Sequence, residues 1–529
     1  MTPDRDLPGE RPPSVVPDSK LLLRFAPGGW RWDAGLRTAL AFGLPAALLV
    51  ACGRADWALF VCFGAFAVMY GEGRAYRVRW QVISIAGAAL LACVGLGIAV
   101  GATTPSTGTA AWLVDVAVLP VLAVLGVYLI DAARLGPPGV MFFLVACSGA
   151  LAATRSGVGA DGIMIATALG VAGALLVSMA GRLIAPHQPE RIAVALAVRA
   201  VDEYAAARDQ GTATAAQRHR AAEALWNAWG TVYDAGLSED TEGATLQLLS
   251  AHRRLGTTDP EADAQGIPLA RPTIRYRLLR SLNWDSHAAV TSVRVACAVV
   301  VAGVLGGLSG SDHPHWAILT ALIILQAGPD RVHGRVRAIH RLVGTAAGLV
   351  VFAALIQLSP TGFALVLVLA VLQFGVELFI TRNYSVAAIF FTPVALLAGG
   401  AGANGQAVGA VMRDRLVETA IGVIIALLAL RFILPRAHRR TFTWTEHRVR
   451  TGTTVLRDRL REAAADAPPI LELRRDLQFD LIGAMRAGID STHNDPHWAQ
   501  QVWPPHAELL HSGYDLLAAC RAVPPGAKM

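Results

Sequence analysis

The sequence predicts an all-α integral membrane protein: two tandem bundles of about six transmembrane helices, related by a parallel pseudo-two-fold and completed by a helical cytoplasmic domain. Three observations predict this class. The 529-residue chain is 54% hydrophobic and 16% charged, and its apolar residues arrive in long blocks. Six blocks and a polar segment are followed by six more and a second polar segment. Landmark residues also recur in order. Arg37, Trp57-Ala58, the basic loop Gly71, Arg74, Arg77, Arg79 and the run Arg182 to Pro186 are answered by Arg294, Trp316-Ala317, the loop Gly328, Arg331, Arg335, Arg337 and the run Arg431 to Pro435.

Residues 1–30 are rich in Pro and acidic side chains and lack the apolar stretch of a signal peptide, so they are expected to form a disordered cytoplasmic tail. The first bundle, 31–186, has spans near 36–52, 57–70, 81–101, 111–130, 139–153 and 162–184. Several are shorter than the roughly 20 residues of a straight crossing. The nearly continuous pairs in 36–70 and 290–327 therefore read as tight hairpins or partly re-entrant segments. Residues 187–289 switch to helical periodicity with mixed charge, a loop over 256–272, and an amphipathic helix over 273–285 expected at the inner leaflet. The second bundle, 290–435, has spans near 290–308, 315–327, 341–358, 361–380, 385–401 and 416–434. Residues 436–529 are again helical, with Pro468-Pro469 and Pro504-Pro505 as breakers, and both polar segments are expected to pack together.

The net charge of +7 does not call for nucleic acid, because the arginines cluster at alternate loops. Arg24, Arg31, Arg74, Arg77, Arg79, Arg134 and Arg191 fall on one side against Arg54 and Arg155 on the other, which places both termini and the polar segments in the cytoplasm. Arg413 and Arg415 break the bias and are expected to face outward. An even number of spans per copy gives both copies one orientation, hence an axis along the membrane normal. Of six cysteines, none forms a C-x-x-C pair and five lie in apolar runs, so neither a disulfide framework nor a zinc site is expected. Lys20 and Lys528 are the only lysines, which excludes a G-x-x-x-x-G-K-[ST] phosphate loop. No nucleophile–base motif is present, so an enzyme is not expected, nor is any cofactor or resident metal.

The stretch from Asp312 to Gln326, the following basic loop and Arg341-Leu-Val-Gly-Thr345 resemble the signature of the fusaric acid resistance and aromatic acid exporter family. Arg382-Asn-Tyr-Ser385, Phe391-Thr-Pro393 and Arg415 to Gly422 are also similar to it. The resemblance is strong over 290–435, weaker over 30–186 and faint in the polar segments. It implies a multi-pass cell-membrane protein for efflux of aromatic carboxylates, with a distant likeness to plant aluminium-activated malate channels. The first copy departs from the pattern, carrying Arg54-Ala-Asp-Trp57 in place of His-Pro-x-Trp.

Candidate residues carry paired readings. Arg74, Arg77, Arg331, Arg335 and Arg341 form a cationic vestibule for carboxylates, or fix topology and bind lipid phosphates. Trp57 and Trp316 are interfacial anchors, or a stacking wall. His313 and His315 lack a third ligand nearby and are expected to titrate at the outer face. Glu377, a carboxylate inside an apolar span, is either the carrier of a coupling proton or the partner of Arg382. Glu418 is expected to pair with Arg415 at the interface. Pro393 frees a backbone carbonyl beside a cavity or simply kinks its helix, and Tyr384, just before the same span, is a further substrate-pathway candidate. Asp115 has no counterpart in the second copy. The pairs Gly97/Gly101 and Gly344/Gly348 are expected at close helix crossings.

These readings converge on a secondary exporter of small organic anions, the resemblance implying aromatic carboxylates as substrates, with a proton gradient as the default energy source. The rivals are an organic-anion channel and a non-transporting membrane scaffold. The expected partners are the anion and the lipid bilayer, with no nucleic acid; a homo-oligomer or an accessory efflux subunit is compatible with the architecture.

Overall fold

The computed structural model describes residues 10–14, 18–25, 29–237, 243–256, 271–311, 313–398 and 408–522, and every regular element among them is helical. After α1 (Asp18–Leu23) and α2 (Trp32–Ala51), residues 55–71 wind as 3₁₀, α and 3₁₀ helix in turn, with α3 (Val61–Ala65) at the centre. The first membrane set continues with α4 (Tyr76–Thr103), α5 (Thr109–Ala133), α6 (Met141–Arg155) and α7 (Ala160–Ile184). The polar helices α8 (Gln188–Asp209), α9 (Ala215–Ala235), α10 (Ala244–Gly256) and α11 (Ile274–Ser281) follow. The second set is α12 (His287–Leu308), α13 (His315–Leu325), α14 (Arg331–Leu358), α15 (Gly362–Phe379), α16 (Tyr384–Ala398) and α17 (Val408–Phe432). The chain ends in α18 (Ala437–Leu460), α19 (Pro468–Asn494) and α20 (Pro496–Ala522).

Among the described helices, α2, α4, α5, α7, α12, α14 and α15 are long and apolar enough to cross a membrane, and α17 with α18 makes an eighth bent by 57°. The segment 55–71, α6, α13 and α16 are apolar but short. The short spans foreseen in the sequence thus have a physical form. Twelve 3₁₀ residues and five α residues in 55–71 reach roughly 31 Å, at about 2.0 and 1.5 Å per residue, enough for the hydrocarbon layer. Arg31, before α2, pairs with Glu72, after this segment, so both ends return to one side.

Glycine sets the tightest crossings. α4 packs on α6 and α14 on α16. A Cβ at Gly97 would lie 2.2 Å from the Cys147 carbonyl oxygen, and one at Gly344 would lie 2.5 Å from that of Ser385. Backbones in this contact admit no side chain, the small-residue packing expected from the sequence.

The apolar cores do not follow the order of the chain. α15 lies on α2 and α5 lies on α12, so one core joins Ala41, Phe42 and Phe63 to Leu369 and Leu372, while another joins Leu119 and Ala123 to Val295 and Ala298. Each set lends its fourth long segment to the other.

A third core belongs to the polar helices: Leu225, Trp229 and Leu248 pack with Leu456, Leu477, Trp503 and Leu517, so the two polar segments form one body. Arg134, at a left-handed turn after α5, donates to the Phe479 carbonyl at 2.9 Å and ties that body to the membrane helices. α11 lies on α5, with the Tyr128 hydroxyl donating to the Leu278 carbonyl at 3.2 Å, and leaves Ile274, Leu279 and Trp284 exposed. The described part of 1–30 is docked where a free tail was expected. Ala215 N donates to the Glu10 carboxylate at 2.7 Å, and the His340 ring reaches the Leu22 carbonyl at 2.9 Å. The rest of that tail, nearly all of the loop read at 256–272, Asp312 and residues 399–407 lie outside the described residues.

Candidate functional site

Helix periodicity aims two arginines into the protein. On α14 the buried stripe runs Gly334, Arg341, Thr345, Gly348 and Phe352; on α17 it runs Val411, Arg415, Glu418, Gly422 and Ala426. Gly422 lets α17 approach α13 closely, since a Cβ there would lie 2.6 Å from the Ala317 carbonyl oxygen. Arg341 is 0% and Arg415 1% exposed.

Both guanidinium groups border one cleft of about 660 Å³, open solvent at its mouth included, built from both membrane sets. Phe63 and Phe66 come from the broken span, Trp316 from α13 and Phe391 from α16, with His313 and His315 at the α13 entrance. The cleft is aromatic on several sides and cationic at one. The Arg415 guanidinium carbon lies 4.9 Å from the Trp316 ring centre and that of Arg341 lies 5.9 Å from Phe391. His313 stacks on Trp316 at 4.2 Å with planes 6° apart.

Neither arginine has a carboxylate at ion-pair distance among the described residues. Arg341 Nη1 donates to the Tyr384 hydroxyl at 3.5 Å, while its Nε and Nη2 have no hydrogen-bond partner among the described residues, nor has Arg415 Nε. Burying two cations that have no carboxylate partner among the described residues is costly, and an anion in the cleft relieves the cost. Planar guanidinium forks suit a carboxylate, and ring faces suit an aromatic body.

The sequence-derived candidates divide around this cleft. Arg341 and Trp316 line it; Tyr384 touches Arg341; Pro393 sits on α16 between the lining residues Phe391 and Val394. Arg74, Arg77, Arg331 and Arg335 do not reach it. Arg74 pairs with Asp234 of the polar body at 3.6 Å, the Arg77 guanidinium lies over Gly236, Arg331 donates to the Pro435 carbonyl, and Arg335 is exposed. Trp57 lies away from the cleft, against Gly162 and beneath the Arg54 guanidinium at 3.5 Å.

Two pairings differ from expectation, and one residue given no role has a partner. Glu377 is not joined to Arg382: it is 3% exposed and pairs with Arg31 at 2.6 Å, because the crossed packing of α2 on α15 brings Arg31 to it. Arg31 is shared with Glu72, and Arg382 instead stacks on Trp30 at 4.2 Å, past the end of α15. Arg415 forms no ion pair with Glu418; both are buried, and Glu418 accepts from the Ser309 hydroxyl at 3.1 Å. Asp115 has a structural partner, since Arg155 reaches its two oxygens at 2.9 and 3.1 Å.

Arg415 is the cleft residue that the sequence reading left out. Its breach of the charge bias was the available signal, since an arginine on the disfavoured side needs a reason other than topology. The phenylalanines of the broken span gave no signal beyond apolarity.

Residues 297–429 match a family described as fusaric acid resistance protein-like, a stretch that holds Trp316, Arg341, Phe391 and Arg415. Over 96% of its length the chain is 22% identical to the membrane protein YvaC of Bacillus subtilis (strain 168), covering 88% of that protein. It is also 26% identical to the inner membrane protein YccS of Escherichia coli (strain K12), over 37% of this chain and 27% of that protein. No solved structure matches.

Proposed function

We propose, from the premise that the chain belongs to the fusaric acid resistance protein-like family, that it is a secondary transporter exporting small organic anions, aromatic carboxylates foremost, across the cell membrane. One observation carries this reading: two buried arginines, without carboxylate partners among the described residues, face an aromatic cleft walled by both membrane sets. The matched lengths of α4 and α14, 28 residues each, support a parallel pseudo-two-fold. Such a relation puts a shared binding site between the sets. Arginine-rich starts of α4 and α14 support a cytoplasmic position for the polar body and both termini.

In the transport step the cleft takes the carboxylate on Arg341 and Arg415 and the ring between Trp316 and the phenylalanines. Export is driven by protons through Glu377: protonation removes its charge from the Arg31 pair and loosens the α2–α15 seam. Arg31 then remains paired with Glu72.

The test is flux into proteoliposomes of purified protein, with labelled benzoate, cyclohexanecarboxylate and acetate as probes. Benzoate is expected to move fastest under an imposed proton gradient. The double substitution Arg341→Gln, Arg415→Gln is expected to cut that flux at least about tenfold, corresponding to a charge-assisted contact of about 1.4 kcal/mol or more. Glu377→Gln is expected to abolish gradient-driven accumulation. No flux of any probe, or undiminished flux in the double variant, overturns the reading; accumulation intact in Glu377→Gln removes the proton role alone.

A further inference from the structure

The junction between the membrane helices and the polar body holds a cluster that the transport reading leaves unused. Asp330 caps the N-terminus of α14, its Oδ1 accepting from Val332 N at 2.8 Å and His333 N at 3.2 Å. That leaves Oδ2 free of the backbone. The Nδ1 atoms of His333 and His493 both lie 2.6 Å from Oδ2, and the three side-chain atoms are within 4.8 Å of one another. His333 stands three residues from Asp330 on α14, whereas His493 comes from the last turn of α19.

From this geometry we propose that Asp330, His333 and His493 bind a divalent transition-metal cation, Zn²⁺ being the best match, which ties α14 to α19. Two imidazoles and a carboxylate form a borderline N₂O donor set, one that zinc uses with water in the fourth position. Asp330 is only 11% exposed and fixed by its capping bonds, so one ligand is pre-positioned. His333 is 57% exposed and gives the ion an entry path and room for water. Metal–ligand bonds of about 2.0–2.1 Å need ligand atoms somewhat farther apart than the present hydrogen bonds. Small rotations of the two histidine side chains supply that expansion. Each Nδ1 must present its lone pair to the metal, so a hydrogen now on Nδ1 leaves or moves to Nε2.

The surroundings hold the two sides in place without filling the site. Arg331 N donates to Asn494 Oδ1 at 3.2 Å, beside His493, and the Arg331 side chain turns away to the Pro435 carbonyl. Asp490, one turn before His493 on α19, lies 3.8 Å from His287 and adds negative charge behind the ligands. No local motif betrays this set, because its third member is 163 residues from Asp330. Bound metal would connect the polar body to the start of the helix that carries Arg341.

The experiment uses the full-length protein in detergent, stripped with a chelator and titrated with Zn²⁺ and with Co²⁺ as a spectroscopic substitute. One Zn²⁺ per chain is expected at this site, with a rise in melting temperature and a tetrahedral cobalt band. His333→Ala and His493→Ala, which leave the Asp330 cap intact, are each expected to weaken binding at least about tenfold and to remove the band. Each variant is first checked for the elution profile and helix content of the wild type. Equal affinity and stoichiometry in wild type and the double histidine variant, or only the spectrum of hydrated cobalt, overturns the proposal. Either result would mark the cluster as an aspartate bridging two histidines, and the benzoate flux assay would be unaffected by that outcome.

Discussion

His219 shows what burial does to a titratable side chain in the polar body. Desolvation, with Arg134 and His506 adding repulsion, depresses its pKa from 6.5 to about 4, although Glu223 lies 3.7 Å from its ring. Its Nδ1 is 2.8 Å from the Tyr514 hydroxyl, so the neutral ring joins α9 to α20. A base with a depressed native pKa stabilises the fold fully above its unfolded pKa and loses that contribution as pH falls through the folded value. The window here runs from about 6.5 down to about 4, and the full loss is on the order of 3 kcal/mol. The melting temperature of the wild type is therefore expected to fall on acidification across this window. His219→Gln, which keeps a polar contact to Tyr514 but has no proton to gain, is expected to flatten that fall. Parallel curves for the two proteins would show that another group governs acid sensitivity.

At the scale of helices, the glycine crossings are both legible in sequence and testable. Gly344→Val would drive side-chain atoms into the Ser385 carbonyl and Ala388, which α16 can relieve only by moving off α14. A loss of about 1–3 kcal/mol is expected from such overpacking, read as a lower melting temperature. Gly95→Val on α4 meets nothing within 4 Å and is expected to leave that temperature unchanged. Equal melting for both variants would refute the tight crossing. The sequence showed these glycines, the helical blocks and the repeated landmarks because each depends on residues near one another in the chain. It did not show that 55–71 is partly 3₁₀, since the same apolar run fits several windings. Nor did it place Arg31 beside Glu377 or Arg415 in the cleft, because both follow from which helix lies against which. Trp316 and Arg341 were visible as motif residues, but their shared cleft with Phe63 joins segments about 250 or more residues apart in the numbering.

For the whole molecule, the reciprocal packing of α2 on α15 and α5 on α12 decides how it can come apart. Neither membrane set keeps its apolar core to itself: removing the second takes Leu369, Leu372 and Val376 from the core around Phe42 and Phe63. Removing the first takes Leu119, Ala123 and Val127 from the core around Val295. The polar body is divided in the same way, with α8 to α10 in one half and α18 to α20 in the other. Large apolar surfaces at roughly 25 cal/mol per Å² make such halves strongly adhesive and poorly soluble alone. Cutting the chain between Trp284 and Ser286, before the Ser286 hydroxyl accepts from Ala289 N to cap α12, leaves the helix caps intact. Co-expressed pieces 1–285 and 286–529 are therefore expected to co-purify as a one-to-one complex that retains benzoate flux, while either piece expressed alone aggregates in detergent. A first piece that is monodisperse by itself, with the melting temperature of the intact chain, would mean that the shared cores contribute little. Recovery of the complex with flux would place the stability of the two sets, and the cleft between them, in the same interlocked cores.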